Sequence, residues 1–413
     1  MRIPIRLVVL CLFSSALIMC MTACYLFDHS SSTTPTPPHT PLPKGTMNYA
    51  VADSDNNRVL IYNIPFSTDE SASVVLGQAD FTHGTFPAIA ANTFSYPTAA
   101  AVDSSGNLYV ADSNNCRILQ FKPPFTNNMD ASVVIGEPDF TTVTCTTGAS
   151  TLNYAYAIAF DGDGDLWVSD YSSSRIVEFV PPFSNGMAAS LVIGQTSLTS
   201  TAGCNQGLSA PTASTLCEQY GISFDSSGDL WVSDADNSRV LEFKPPFSND
   251  MAASLELGQP SATAFTSRTA NNGGLSASSL SYQFQPAFDG DGNLWVSDTT
   301  NNRVLEYVPP FSNGMAATRE LGQSSGATAF TTNASTTSQS GFFYPYGISF
   351  DSSGNMQVLD FFNSRVMIFE PPFSNGMNAT TVFGQANFTT GTANQGGSVG
   401  ANTLYWPLSG VTF

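Results

Sequence analysis

An arginine recurs six times at nearly even spacing: Arg58, Arg117, Arg175, Arg239, Arg303 and Arg365, with gaps of 59, 58, 64, 64 and 62 residues. A fixed period marks a repeat architecture, in which each unit buries its apolar face against the next. One unit starts at Gly221-Ile222-Ser223-Phe224 and turns through Asp225 to Asp229. It continues with Leu230-Trp231-Val232-Ser233-Asp234, then Arg239 to Phe243, a Pro245-Pro246-Phe247 loop, and Ser254 to Gln259. Four short apolar runs bounded by Gly, Pro, Asn, Asp and Ser read as antiparallel hairpins. No useful amphipathic helical period appears, so the fold class is all-β, and four strands per unit around an axis make a propeller blade.

The ends of the chain fit together. Gly410-Val411-Thr412-Phe413 matches the first strand of a unit, and Asn48-Tyr49-Ala50-Val51-Ala52-Asp53 matches the second. One blade is therefore split between the termini. The C-terminal strand is expected to pair with the N-terminal part of the domain and close a six-bladed ring.

The motif Asp-x-x-Gly-Asn/Asp-Leu-Trp/Tyr-Val-x-Asp followed by Asn-x-Arg-Val/Ile resembles the NHL repeat. It stands here as Asp103 to Asp112 with Asn115-Cys116-Arg117, and as Asp289 to Asp298 with Asn301-Asn302-Arg303. The resemblance covers roughly residues 47 to 413. It implies the propeller strongly and an activity weakly, because one fold hosts many functions.

In each unit an Asp precedes the repeat Arg by five: Asp53, Asp112, Asp170, Asp234, Asp298 and Asp360. The carboxylate ends the second strand and the guanidinium starts the third, so a short hairpin brings them together as a clamped pair. A ligand rarely needs six equivalent groups, so these are structural repeat pairs. The run Asp161-Gly162-Asp163-Gly164-Asp165 resembles the opening of a calcium loop. It lacks the Glu seven residues on, where Ser172 stands, and matches the ordinary turn of the other units. No metal and no cofactor is expected.

Upstream of the repeats, Arg2 and Arg6 precede an apolar stretch from Leu7 to Ala23, which reads as a signal peptide over 1–23. Met21-Thr22-Ala23-Cys24 resembles a lipobox, making Cys24 the lipidation candidate. Residues 24–46 are rich in Ser, Thr and Pro and read as a spacer. The domain of 47–413 is then exported and held in the bacterial cell envelope by the lipid anchor alone. Loss of 1–23 leaves 11 basic against 32 acidic residues. That balance excludes nucleic acid as a partner. The chain is expected to be a monomer.

Four cysteines remain for the domain, and their loop positions suggest disulfides Cys116–Cys145 and Cys204–Cys217. Recognition is expected on the long, dissimilar loops that connect blades, such as 196–219, 260–281 and 324–343. Beside them Tyr156, Tyr220, Phe284 and Tyr346 precede or open the inner strands and are the tentative ligand-binding residues, ringing the channel mouth. His29, His39 and His83 are the only histidines, so neither a His-based metal centre nor a catalytic His is available. The expectation is a non-enzyme with no catalytic residues, binding a protein or glycan at the cell surface through its loop face. The alternative is a hydrolase or lyase using loop carboxylates such as Glu218 and Asp139.

Overall fold

The computed structural model describes residues 47–323, 325–326 and 328–413. The expected signal peptide, Cys24 and spacer lie outside the described residues.

The described chain forms six four-stranded antiparallel sheets arranged as a β-propeller. Blade 1 combines Pro407–Thr412 with Asn48–Asp53, Arg58–Asn63 and Val74–Leu76. Blade 2 starts with the inner strand Pro97–Val102, blade 3 with Ala155–Phe160 and blade 4 with Gln219–Phe224. Blades 5 and 6 start with Pro286–Phe288 and Pro345–Phe350. Closure is by strand pairing across the termini. Tyr49 stands opposite Thr412 and Val51 opposite Gly410, and Asn48 and Phe413 exchange two backbone hydrogen bonds of 2.7 and 2.9 Å. The paired ends leave the ring no broken blade.

The core lies between blades. Trp167, Trp231 and Trp295 sit on second strands and are fully buried. Each packs edge-to-face on the phenylalanine of the next blade's Pro-Pro-Phe segment: Phe247 at 4.8 Å, Phe311 at 4.9 Å and Phe373 at 5.0 Å. The Asp of the turn before each Trp accepts a hydrogen bond from the indole N–H, Asp161 at 2.9 Å, Asp225 at 3.2 Å and Asp289 at 2.9 Å. Its other oxygen accepts two backbone N–H groups of the turn, as Asp161 does from Asp163 and Asp165. The Asp-rich turns therefore serve as caps for buried tryptophans.

The repeated Asp–Arg pairs are fully buried, with Nε–Oδ2 distances of 2.6–2.8 Å in all six blades. The second carboxylate oxygen accepts a backbone N–H from the loop entering the blade; Cys217 donates to Asp234 at 2.7 Å. The guanidinium then reaches loop carbonyls: Arg239 donates to Thr212 and Thr215 at 2.9 and 2.8 Å and to Phe265 at 3.3 Å. One side chain thus holds the loops entering and leaving its blade. Burial raises each of these carboxyls against the pull of the guanidinium and the N–H donors.

Candidate functional site

The inner strands surround an axial cavity of about 320 Å³, lined by small and apolar residues such as Ala99, Ala157, Ser223, Ala287, Ser349 and Gly410. None of its lining groups titrates. At the start of the inner strands the channel is shut. Tyr156, Tyr220, Phe284 and Tyr346 lie there with ring centroids 4.7, 4.8 and 4.2 Å apart in sequence, and Tyr156 also touches Phe284 at 5.4 Å across the ring. They are 8, 6, 1 and 3% exposed. The structure therefore places these four tentative ligand-binding residues in a buried plug, completed by Thr98 and Leu408 at the matched positions.

The surface above the plug comes from residues two places earlier. Tyr96, Tyr154, Glu218, Tyr282, Tyr344 and Trp406 occupy one position in the six blades, and all are half-buried. All six have left-handed backbone, with φ of 55, 71, 49, 54, 60 and 53°. Glycine takes this conformation freely, whereas a bulky side chain there costs about 1–3 kcal/mol, and such strain gathers at ligand clamps. The chain puts five aromatics and one carboxylate in that place and no glycine. Tyr171, Phe362 and Tyr405 widen the aromatic floor. Tyr171 packs on Tyr220 at 5.1 Å, and Trp406 lies on Phe362 at 5.6 Å and Tyr405 at 5.0 Å.

Two carboxylates break the six-fold pattern of this floor. Glu218 accepts a hydrogen bond from the Tyr171 hydroxyl and acts on Tyr282. Tyr282 in turn shares a 2.6 Å hydrogen bond with Tyr220. Asp55 lies in the hairpin turn Ser54–Asn56 of blade 1. Burial and the charge of Asp53 push its carboxyl up to about 7, against a hydrogen bond from Tyr405. It also acts on Tyr96 and Tyr154. Blades 1 and 4 stand three apart in the ring, so the two acids belong to opposite sides of it. Asp139 is elsewhere, on an exposed turn where it accepts from Thr141 and Thr142, bonds that lower its carboxyl. Sequence reasoning had singled out Glu218 but not Asp55, Tyr96, Tyr154, Tyr282, Tyr344 or Trp406.

Disulfides join Cys116 to Cys145 and Cys204 to Cys217, which fits an oxidising compartment. The second fixes the residue immediately before Glu218.

Two further acidic clusters lie by the opposite turns: Asp161, Asp165 and Glu178 in blade 3, and Asp225, Asp229 and Glu242 in blade 4. In blade 4 the Lys244 ammonium sits 3.1 Å from Asp229 and 3.2 Å from Glu242. In blade 3 Val180 holds the matched position. There Asp165 is pushed up to about 6 by burial and by Asp161, Glu178 and Asp163.

Residues 94–121 match the NHL repeat family. No curated protein matches the chain. Among solved structures, virginiamycin B lyase from Staphylococcus aureus is similar over 68% of this chain and 71% of its own, at 12% identity and a TM-score of 0.38. A periplasmic gluconolactonase from Pseudomonas aeruginosa is similar over 89% and 99%, at 10% identity and a TM-score of 0.47. A protein of unknown function from Bacteroides caccae is similar over 89% and 99%, at 9% identity and a TM-score of 0.46. These are likenesses of fold. The expectation of a non-enzyme is corrected by them: the propellers similar in fold include a lyase and a gluconolactonase. Six four-stranded blades make this chain a six-bladed β-propeller, one of whose blades, at residues 94–121, matches the NHL repeat family.

Proposed function

We propose that the loop-face floor is the working site of a hydrolase or lyase, with Asp55 as its general base. The observation that carries this reading is the Asp55 carboxyl, pushed up to about 7 beside a half-exposed aromatic surface. A carboxylate with an ordinary pKa is too weak a base for neutral pH. One near 7 is both available and strong enough to take a proton from water or from an activated carbon. Glu218, held by Tyr171, is the second polar group and orients the substrate from the other side of the ring. The axial cavity offers no titratable group for this chemistry. The blade 4 acid cluster already has its ammonium counterion.

The same reading includes the placement of the domain. Acylation at Cys24 and the spacer of 24–46 hold the monomeric propeller of 47–413 at the cell envelope. The substrate is then part of a protein or glycan at the cell surface. Metabolic labelling with palmitate checks the anchor, and an unlabelled mature chain defeats it.

Activity is tested on a panel of esters, lactones and glycosides. Asp55→Asn is expected to lower kcat/KM by about 10²–10⁴-fold while the circular dichroism spectrum is kept. In the unaltered protein kcat/KM rises with pH to a plateau above about 7, since a base works only when deprotonated. A turnover that survives Asp55→Asn, or a profile falling through that range, refutes the assignment.

A further inference from the structure

We infer that the axial cavity is a second binding site, open at the end of the ring opposite the loop face, and that it takes a small uncharged molecule with an apolar body and one hydroxyl or N–H donor for Gln285. This goes beyond the catalytic reading and does not rest on it, because the buried plug stands between the cavity and the loop-face floor.

The first support is the shape of the cavity. Its loop-face end is shut by the buried rings of Tyr156, Tyr220, Phe284 and Tyr346. Its other end lies among the last residues of the inner strands, where Val102, Phe160, Phe288, Phe350 and Val411 line it and are only half-buried. A space of about 320 Å³ is in the range of small-molecule sites and is far larger than one ordered water needs. Most of its wall is alanine, isoleucine, proline and phenylalanine.

The second support is an exception to the repeat inside this wall. The residue after each plug position is Ala99, Ala157, Gly221, Gln285, Gly347 and Ser409 in the six blades. Five are small and one is a long carboxamide. The neighbouring blade makes room for it: a β-carbon on Gly221 would stand 2.7 Å from Gln285 Oε1. Gln285 Nε2 donates to the carbonyls of Pro286 at 3.0 Å and Ile222 at 3.3 Å, which holds the nitrogen end of the amide on the wall. Its Oε1 has no donor among the described residues, and the hydroxyls of Ser223 and Ser409 on the same wall have no partner among them. Ser349, the remaining polar lining residue, is bound to Tyr49 at 3.2 Å and Gln357 at 3.1 Å. An acceptor left without a donor in apolar surroundings gains from a ligand that brings one.

The third support is charge. No lining residue titrates, so a carboxylate or an ammonium entering the cavity would shed its water without meeting a counterion. The wall selects against ions of either sign and leaves the neutral molecule favoured.

The test is equilibrium dialysis of the full chain against three probes. They are 1-naphthol, 1-methylnaphthalene, which has the same rings and no donor, and 1-naphthoate, which carries a charge. 1-Naphthol is expected to bind once per chain and about tenfold more tightly than either of the others. Q285A copies the alanine of blades 2 and 3. It is expected to fold and to bring 1-naphthol down to the level of 1-methylnaphthalene. S409F adds a ring to the cavity from the matched position of blade 1 and is expected to abolish binding at an unchanged circular dichroism spectrum. Where S409F does not fold, Q285A decides alone. D55N, beyond the plug, is expected to leave the 1-naphthol affinity as it was. Binding of no probe, equal affinity for 1-naphthol and 1-methylnaphthalene, tightest binding of 1-naphthoate, or a preference that survives Q285A overturns the inference. Loss of 1-naphthol binding in D55N does so too, since it places the probe on the loop face. Asp55-dependent turnover stands or falls separately on the ester, lactone and glycoside panel.

Discussion

Two sets of carboxylates in one propeller have opposite fates. The six repeat aspartates are fully buried, each against a guanidinium and a backbone N–H, and the same arrangement occurs in every blade. Glu218 is the one carboxylate at its position, and the Asp55 position holds an acid in one other blade alone, as Asp236; Asp55 and Glu218 lie on the loop face with tyrosines as partners. The difference teaches where to look for function in a repeat protein. What recurs in every unit holds the unit together, and what breaks the recurrence is free to carry chemistry.

The largest effect belongs to the first set. Arg239→Ala leaves Asp234 buried without a counterion, and Glu256, 3.4 Å from the guanidinium, loses it too. Breaking a buried pair from one side costs about 3–5 kcal/mol. The loops held through Thr212, Thr215 and Phe265 are released as well. Urea unfolding is expected to show this loss, and an unchanged midpoint would remove the distinction between the two sets.

Asp55 gives the next effect, and its sign is set by its raised carboxyl. The folded protein holds this proton up to about pH 7, while the unfolded chain releases it near 3.8, as an ordinary carboxyl does. The native state thus binds more protons between about pH 4 and 7. Its stability from this group is full below that window and is lost as pH rises through it. The Tm of the unaltered protein minus that of Asp55→Asn should therefore fall from acid to neutral pH and level off above 7. A difference independent of pH places Asp55 with the scaffold.

The blades were legible in the sequence because six copies of one pattern vote on the same register. The Asp–Arg spacing of five and the split unit at the ends leave little else for the chain to build. The floor was not legible to the same depth. Sequence patterns assign a positive φ to glycine or asparagine, so nothing marked Tyr154 or Trp406 as left-handed. The aromatics two residues on, from Tyr156 to Tyr346, were read as the mouth, and the strand geometry turns them into the plug. Asp55 sits in a hairpin where other blades carry Asn114, Ser172, Asp236, Thr300 and Phe362, and its enclosure by Tyr405 comes from residues 350 positions away.

A smaller effect tests how the scaffold supports the exception. The Cys204–Cys217 bridge ends one residue before Glu218, and the Cys217 N–H is bound by Asp234. Replacing both cysteines by serine opens a loop of 13 residues, worth about 3 kcal/mol at most on loop-closure grounds. Much of the loop remains clamped by Arg239, so the measured loss should fall below that. Turnover is expected to drop along with it. The matched removal of Cys116–Cys145 in blade 2 should lower stability without touching turnover.

The smallest effect comes from exchanging a charge between blades 3 and 4. Lys244 neutralises Asp229 and Glu242 but is itself more than half exposed, so the pair contributes no more than about 1 kcal/mol. K244V copies the residue of blade 3 into blade 4 and removes the ammonium beside Asp229 and Glu242. V180K makes the reverse exchange. Val180 is 45% exposed, so a lysine there meets no packing penalty and places an ammonium beside Asp165 and Glu178. Asp165 should then titrate lower, in a shift readable by carboxyl carbon NMR, with stability at neutral pH equal to or above that of the unaltered protein. These turns break the repeat in charge without an aromatic floor beside them. If V180K alters turnover on the loop face, charge anywhere on the ring governs the site. If it alters only Asp165, the site depends on the two acids that stand among the rings.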